Sequence, residues 1–205
     1  MKKESAPLGA QSSRDRLLAA AKRLMADGGY ERTSTAAIAR EAGTSESQLV
    51  RNFESKAGLL DAIFNQSWML LNPRLAQVVD GKAAAGQTLV KILSAMIHML
   101  DRDPDLARLM FLEGRRVRGD AGEVLLSQGF QDFSKRIGKL IERGQVDGSF
   151  DKRMNRDAMS SALLGAAEAM VRDRLLAKAP PFKESQIFEV FEAIVSGLAP
   201  KGAAV

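Results

Sequence analysis

The chain is 205 residues long, 45% hydrophobic and 27% charged, which suits a packed globular core and is too apolar for a disordered chain. It has no cysteine and one histidine, His98, excluding disulfides, thiol nucleophiles, cysteine-ligated zinc and any site that needs two histidines. Thirty Lys and Arg against 25 Asp and Glu give a net +5, but residues 1–65 hold ten basic and eight acidic side chains, so only +2 lies there. Net charge permits a polyanionic partner without locating its surface.

Residues 1–11, with Lys2, Lys3, Pro7 and Gly9, read as a loose arm. Ser12 and Asp15 form the outline of a capping box, and Leu17, Leu18, Ala21, Leu24 and Met25 follow at helical spacing until Gly28 and Gly29 stop the helix. A short helix is predicted from about Thr35 to Ala42, another from Ser45 to Phe53, and a longer fourth from Ser55 to near Pro73. A small-residue loop spans about 80–86, and further helices are predicted at about 87–101, 104–118 and 121–144. Asp103 and Pro104 supply an N-cap and N1 proline for the middle one. Two last helices, about 156–177 and 184–198, flank Pro180 and Pro181. The expected fold is all-α: nine helices, with an arm over 1–11, a helix-turn-helix domain over 12–56 and a helical body over 57–205. No apolar run reaches the roughly 18 residues of a membrane span, and the N-terminus has no apolar signal core, so a cytoplasmic protein with no membrane partner is expected.

The stretch from Thr33 to Lys56 carries the functional signal. Ile38 and Ala39 face inward on one short helix, Gly43 permits a left-handed turn, and Leu49 and Phe53 face inward on the next. Glu46, Ser47, Gln48, Arg51 and Asn52 are left facing outward, where such a helix can enter a major groove. Spacing alone equally describes an ordinary helical hairpin with a solvated face.

At these positions the chain resembles the TetR family of bacterial transcriptional regulators. Gly29-Tyr30, Thr33-Ser34, Ile38-Ala39, Ala42-Gly43, Leu49, Phe53 and Ser55-Lys56 match its N-terminal pattern in order, over about residues 13–65. The resemblance implies that Thr33, Ser34 and Thr35 meet phosphate at the start of the second helix. It implies that Ser45, Glu46, Ser47 and Gln48 lie at the reading end of the third, where a glutamine amide can pair with adenine. Arg51, Asn52 and Lys56 are implied as backbone contacts. Ser45 and Gln48 also satisfy a Ser-x-x-Gln capping box, which would turn Gln48 back on its own helix, and Glu46 could simply complement the helix dipole. Val50 stands where the family commonly has a tyrosine, and Ala36 and Ala37 where long polar side chains are common.

In the body, small residues including Gly165 and Ala169 in the penultimate helix, and Ile187, Phe191, Ile194 and Leu198 in the last, suggest an interface; the resemblance implies a two-fold homodimer. It also implies an effector pocket, for which Trp68, Met96, Met99, Met110, Phe111, Glu113, Phe130 and Phe133 are the available walls, although such residues at helical spacing also make plain core. Glu168 and Arg172 are spaced for a solvated i, i+4 pair, and His98 lies on a polar stripe. No cofactor and no metal are expected. The reading is a DNA-binding regulator, acting as a repressor on an inverted-repeat operator and released by an apolar or amphipathic small molecule. The alternatives are a helical interaction module without DNA binding or, further off, a small hydrolase; no G-x-S-x-G elbow or phosphate-binding glycine loop supports the latter.

Overall fold

The protein, described from a computed structural model, is placed over residues 12–79, 81, 83–114, 127–179 and 181–200. Its described elements are all helices: α1 (Ser13–Gly28), α2 (Thr35–Glu41), α3 (Glu46–Phe53), α4 (Lys56–Val79), α5 (Ala85–Arg102), α6 (Pro104–Leu112), α7 (Gln128–Asp147), α8 (Arg156–Leu176) and α9 (Glu184–Ser196). Short polar residues set most of the starts. Ser12, Ser34, Ser45, Asp103, Ser127 and Asn155 each accept a backbone N–H from the first turn of the helix that follows. The arm over residues 1–11 lies outside the described residues.

Two compact units divide at Phe64, eight residues beyond the expected boundary at 56, because the first turns of α4 carry the buried Leu59, Leu60, Ile63 and Phe64. Helix α4 does not stop at Pro73. It continues to Val79 with Pro73 inside it. An interior proline costs one hydrogen bond and about 3 kcal/mol, but Leu71 and Leu75 on either side are buried and hold the helix on. Helix α6 stops at Leu112, short of 118, with Gly114 just beyond it, and α7 starts at Gln128 rather than 121; residues 115–126 lie outside the described ones.

In the C-terminal unit α5 packs against α6, α7, α8 and α9, and α8 against α6, α7 and α9. Leu89, Ile92, Leu93, Ile97 and Leu100 of α5 are buried at 3, 4 and 7 residue spacings, the helical period that the sequence displays. The α7–α8 turn is built tightly. Gly148 takes φ +83°, Phe150 is buried over Gly144, and a Cβ on Gly144 would come within 2.7 Å of the Phe150 ring carbon Cε2. The Asp151 N–H donates to the Leu198 carbonyl at 2.8 Å, tying this turn to the end of α9. Arg174 bridges three helices, donating to Asp101 at 2.8 Å and to Glu184 at 3.1 Å. Arg172 pairs with Asp173 at 3.1 Å instead of with Glu168, and exposed His98 bonds back to the Ser94 carbonyl at 2.7 Å.

Candidate nucleic-acid interface

The α2–turn–α3 unit is assembled from the local chemistry anticipated for it. The Ser34 hydroxyl accepts the Ala37 N–H at 3.1 Å, starting α2, and Ile38 and Ala39 are buried. Gly43, at φ +59°, turns the chain; its N–H donates to the Arg40 carbonyl at 3.1 Å, and the Thr44 N–H to Ala39 at 2.9 Å. The Ser45 hydroxyl accepts the Gln48 N–H at 3.3 Å to open α3, whose Leu49 and Phe53 are buried. Two cations of α1 brace the arrangement from behind. Arg16 Nε donates to the Ala42 carbonyl at 2.9 Å, and the Arg14 guanidinium lies 5.3 Å from the centre of the Phe53 ring.

The proposed DNA-contact residues separate into two groups. Several are engaged in the fold. Thr33 is only 5% exposed, and its hydroxyl donates to the Gly29 carbonyl at 2.8 Å and to Leu24 at 3.2 Å. Lys56 is half-buried: its ammonium donates to the Tyr30 carbonyl at 3.0 Å and the Thr33 carbonyl at 3.1 Å and lies 4.3 Å from the centre of the Tyr30 ring. Both side chains clamp the loop between α1 and α2. Asn52 donates to the Gln48 carbonyl at 2.7 Å, and Ser34 and Ser45 are occupied as caps.

The second group faces outward. Thr35 donates to the Glu46 carboxylate at 2.6 Å, joining α2 to α3 at the surface. Ser45 and Ser47 hydroxyls lie 2.8 Å apart, Arg51 is exposed without a carboxylate partner among the described residues, and Val50 is 54% exposed. The Gln48 side chain makes no bond back to Ser45, so only the serine half of the capping box forms and the amide stays available. Sequence reasoning missed the Thr35–Glu46 bond, since the two are eleven positions apart; the same bond accounts for Glu46 better than its helix dipole alone.

In the C-terminal unit, Trp68 and Phe133 are buried and stacked at 5.2 Å, with Phe130 edge-on to Trp68 at 5.9 Å. The three fill space with one another, as core does, while Met96, Met99, Met110, Phe111 and Glu113 are half-buried. Asn72, one turn beyond Trp68, was not anticipated: its side-chain oxygen is buried without a partner. Of the proposed interface residues, Ile187 and Phe191 are 1% and 3% exposed and belong to the protomer's own core. Gly165 is exposed, and Ala169, Ile194 and Leu198 are partly so, joined on the outer side by exposed Val190 and Ala193.

A capped pair of short helices around a left-handed glycine, with a polar outer face on the second, defines a helix-turn-helix protein. Residues 17–63 match the sequence model of "Bacterial regulatory proteins, tetR family". That match covers the helix-turn-helix stretch and marks it as a tetR-type N-terminal domain. It is 21% identical to the nucleoid occlusion factor SlmA of Photobacterium profundum over 88% of this chain and 91% of that one. Its fold is similar to that of the fatty acid degradation regulator FadR of Bacillus halodurans, with a TM-score of 0.79, 16% identity, and 92% and 97% of the two chains covered. It is also similar to the transcriptional regulator FadR of Bacillus subtilis, solved in complex with stearoyl-CoA, with a TM-score of 0.76, 17% identity, and 92% and 98% covered. None of the described helices is long and apolar enough to cross a membrane.

Proposed function

We propose that this protein is a homodimeric transcriptional repressor that reads an inverted-repeat operator through α3 of each protomer and is released by an amphipathic small molecule. The observation that carries this reading is the outer face of α3, where Ser47, Gln48 and Arg51 project from a helix whose inner face is locked by Leu49 and Phe53. Gln48 reads a base edge, Arg51 meets the phosphate backbone, and Glu46, held by Thr35, keeps α2 and α3 in register. Dimerisation uses the outer faces of α8 and α9, around Gly165, Val190, Ala193 and Ile194, and sets two recognition helices for two half-sites. The buried Asn72 oxygen, without a partner one turn beyond Trp68, supports an effector that brings a hydrogen-bond donor as well as an apolar body. The stearoyl-CoA bound to the Bacillus subtilis FadR is amphipathic in the same sense.

Selection of bound duplexes from a random pool tests the central claim. Enrichment of an inverted repeat is expected, and Gln48→Ala should relax one position in each half-site at a cost of about 1–3 kcal/mol. A pool that yields no repeat, or a Gln48→Ala variant with unchanged base preference, overturns it.

A further inference from the structure

Helix α7 carries Lys135, Lys139 and Arg143 at successive four-residue intervals, with Arg136 beside them. Like charges at that spacing oppose one another on a bare helix, so the stripe needs a reason outside helix stability. The four cations line a surface groove of about 460 Å³ that contains, among the described residues, one carboxylate, Asp132, itself held by Gln128 at 2.9 Å. Arg143 is committed to the fold: it donates to the carbonyls of Val79 at 2.6 Å, Gly81 at 3.3 Å and Ala83 at 3.2 Å, closing the C-terminal end of α4. Among the described residues that leaves Lys135, Arg136 and Lys139 without a hydrogen-bond or carboxylate partner, the lysines exposed and the arginine half-buried.

The floor of the groove is apolar, supplied by Val79 and buried Leu140. Several cations around a concave apolar floor match a compact ligand that concentrates negative charge and has some carbon skeleton. The volume lies within the range of about 300–1,000 Å³ typical of small-molecule sites. The groove lies within the C-terminal unit.

We propose that this groove is a binding site for a small molecule bearing two or more phosphate groups, with Lys135, Arg136 and Lys139 neutralising the phosphates. The site stands whether or not the protein proves to be a repressor, because its occupation is read directly and without DNA.

Calorimetric titration of the full chain with inorganic tripolyphosphate, and separately with adenosine triphosphate, tests it. One site per chain is expected, weakened about tenfold by Lys139→Glu and by Arg136→Ala, with tighter binding of the nucleoside form if the apolar floor is used. Equal affinity for the two probes instead assigns the site to inorganic polyphosphate. Lys135 and Lys139 are exposed, so their variants should keep the wild-type melting temperature. Lys152→Glu, an exposed residue of the α7–α8 turn, carries the same change in net charge and should bind as wild type. Absence of binding, or equal weakening by Lys152→Glu, overturns the proposal. So does displacement of tripolyphosphate by random-sequence duplex DNA in a Lys139-dependent way, which would make the stripe a nucleic-acid surface.

Discussion

Replacing Lys56 with alanine separates a clamp from a phosphate contact. The wild-type ammonium makes two charge-assisted hydrogen bonds, to the Tyr30 and Thr33 carbonyls, and lies over the Tyr30 ring. Bonds to a charged group are each worth about 1.5–3 kcal/mol, and a partly exposed cation–π contact adds about 0.5–1 kcal/mol. The two bonds share one half-buried ammonium, so the lower end of the range applies to the pair. Lys56 is also a cation in the first turn of α4, where the helix dipole opposes it by about 0.3–1 kcal/mol. The balance is a loss of about 2 kcal/mol from the N-terminal unit. Hydrogen exchange of the amides of α1 to α3 reads that unit directly, and protection should fall roughly thirtyfold, the equivalent of that energy. The competing outcome is equally definite. If Lys56 served mainly as a backbone contact, two copies would contribute about −1.8 to the slope of log affinity against log salt. Unchanged exchange protection with a slope flattened by that amount refutes the clamp.

Three further outcomes follow from the same geometry. A Cβ on Gly129 would fall within 2.8 Å of Trp68 Cδ1 and closer still to its Cβ, so Gly129→Ala should cost roughly 2 kcal/mol despite alanine's helix preference and shift Trp68 fluorescence; an unshifted spectrum at wild-type stability contradicts the packing. The hydrogen bonds that Asp151 accepts from the Arg153 guanidinium and N–H hold its carboxyl at about 2, down from 3.8, and this stabilises the fold above about pH 4. The stability gap between wild type and Asp151→Asn in urea melts should therefore be constant near neutrality and close as pH falls from about 4 to 2, whereas a gap that persists at pH 2 is inconsistent with the ion pair. Val190→Glu places a charge on the outer face of α9, 50% exposed in the protomer, and should yield folded monomer in sedimentation, while Phe191→Glu should unfold the chain; a folded dimer from Val190→Glu argues against that face.

Most helix starts were readable locally because they depend on neighbours three or four positions away. Ser34, Ser45, Asp103 and Gly43 each satisfy or free backbone groups of the adjacent turn, and the structure uses them so. The inward faces of α2 and α3 were legible for the same reason, since a period of 3.6 is a property of consecutive residues. The polar outer face of α3 followed by elimination.

What neighbours in sequence cannot report is which long-range partner claims a polar side chain. Thr33 and Lys56 are 23 positions apart, and only the folded N-terminal unit brings the ammonium to the Thr33 carbonyl. The Thr35–Glu46 bond is of the same kind. The path of α4 through Pro73 was likewise decided by tertiary burial, with Leu71 and Leu75 outweighing the lost hydrogen bond. Ile187 and Phe191 show the limit most plainly. Their periodicity in sequence marks an apolar face, but whether that face meets its own chain or another is settled by how much core the protomer has to close, and here its own α5 and α8 pack against α9.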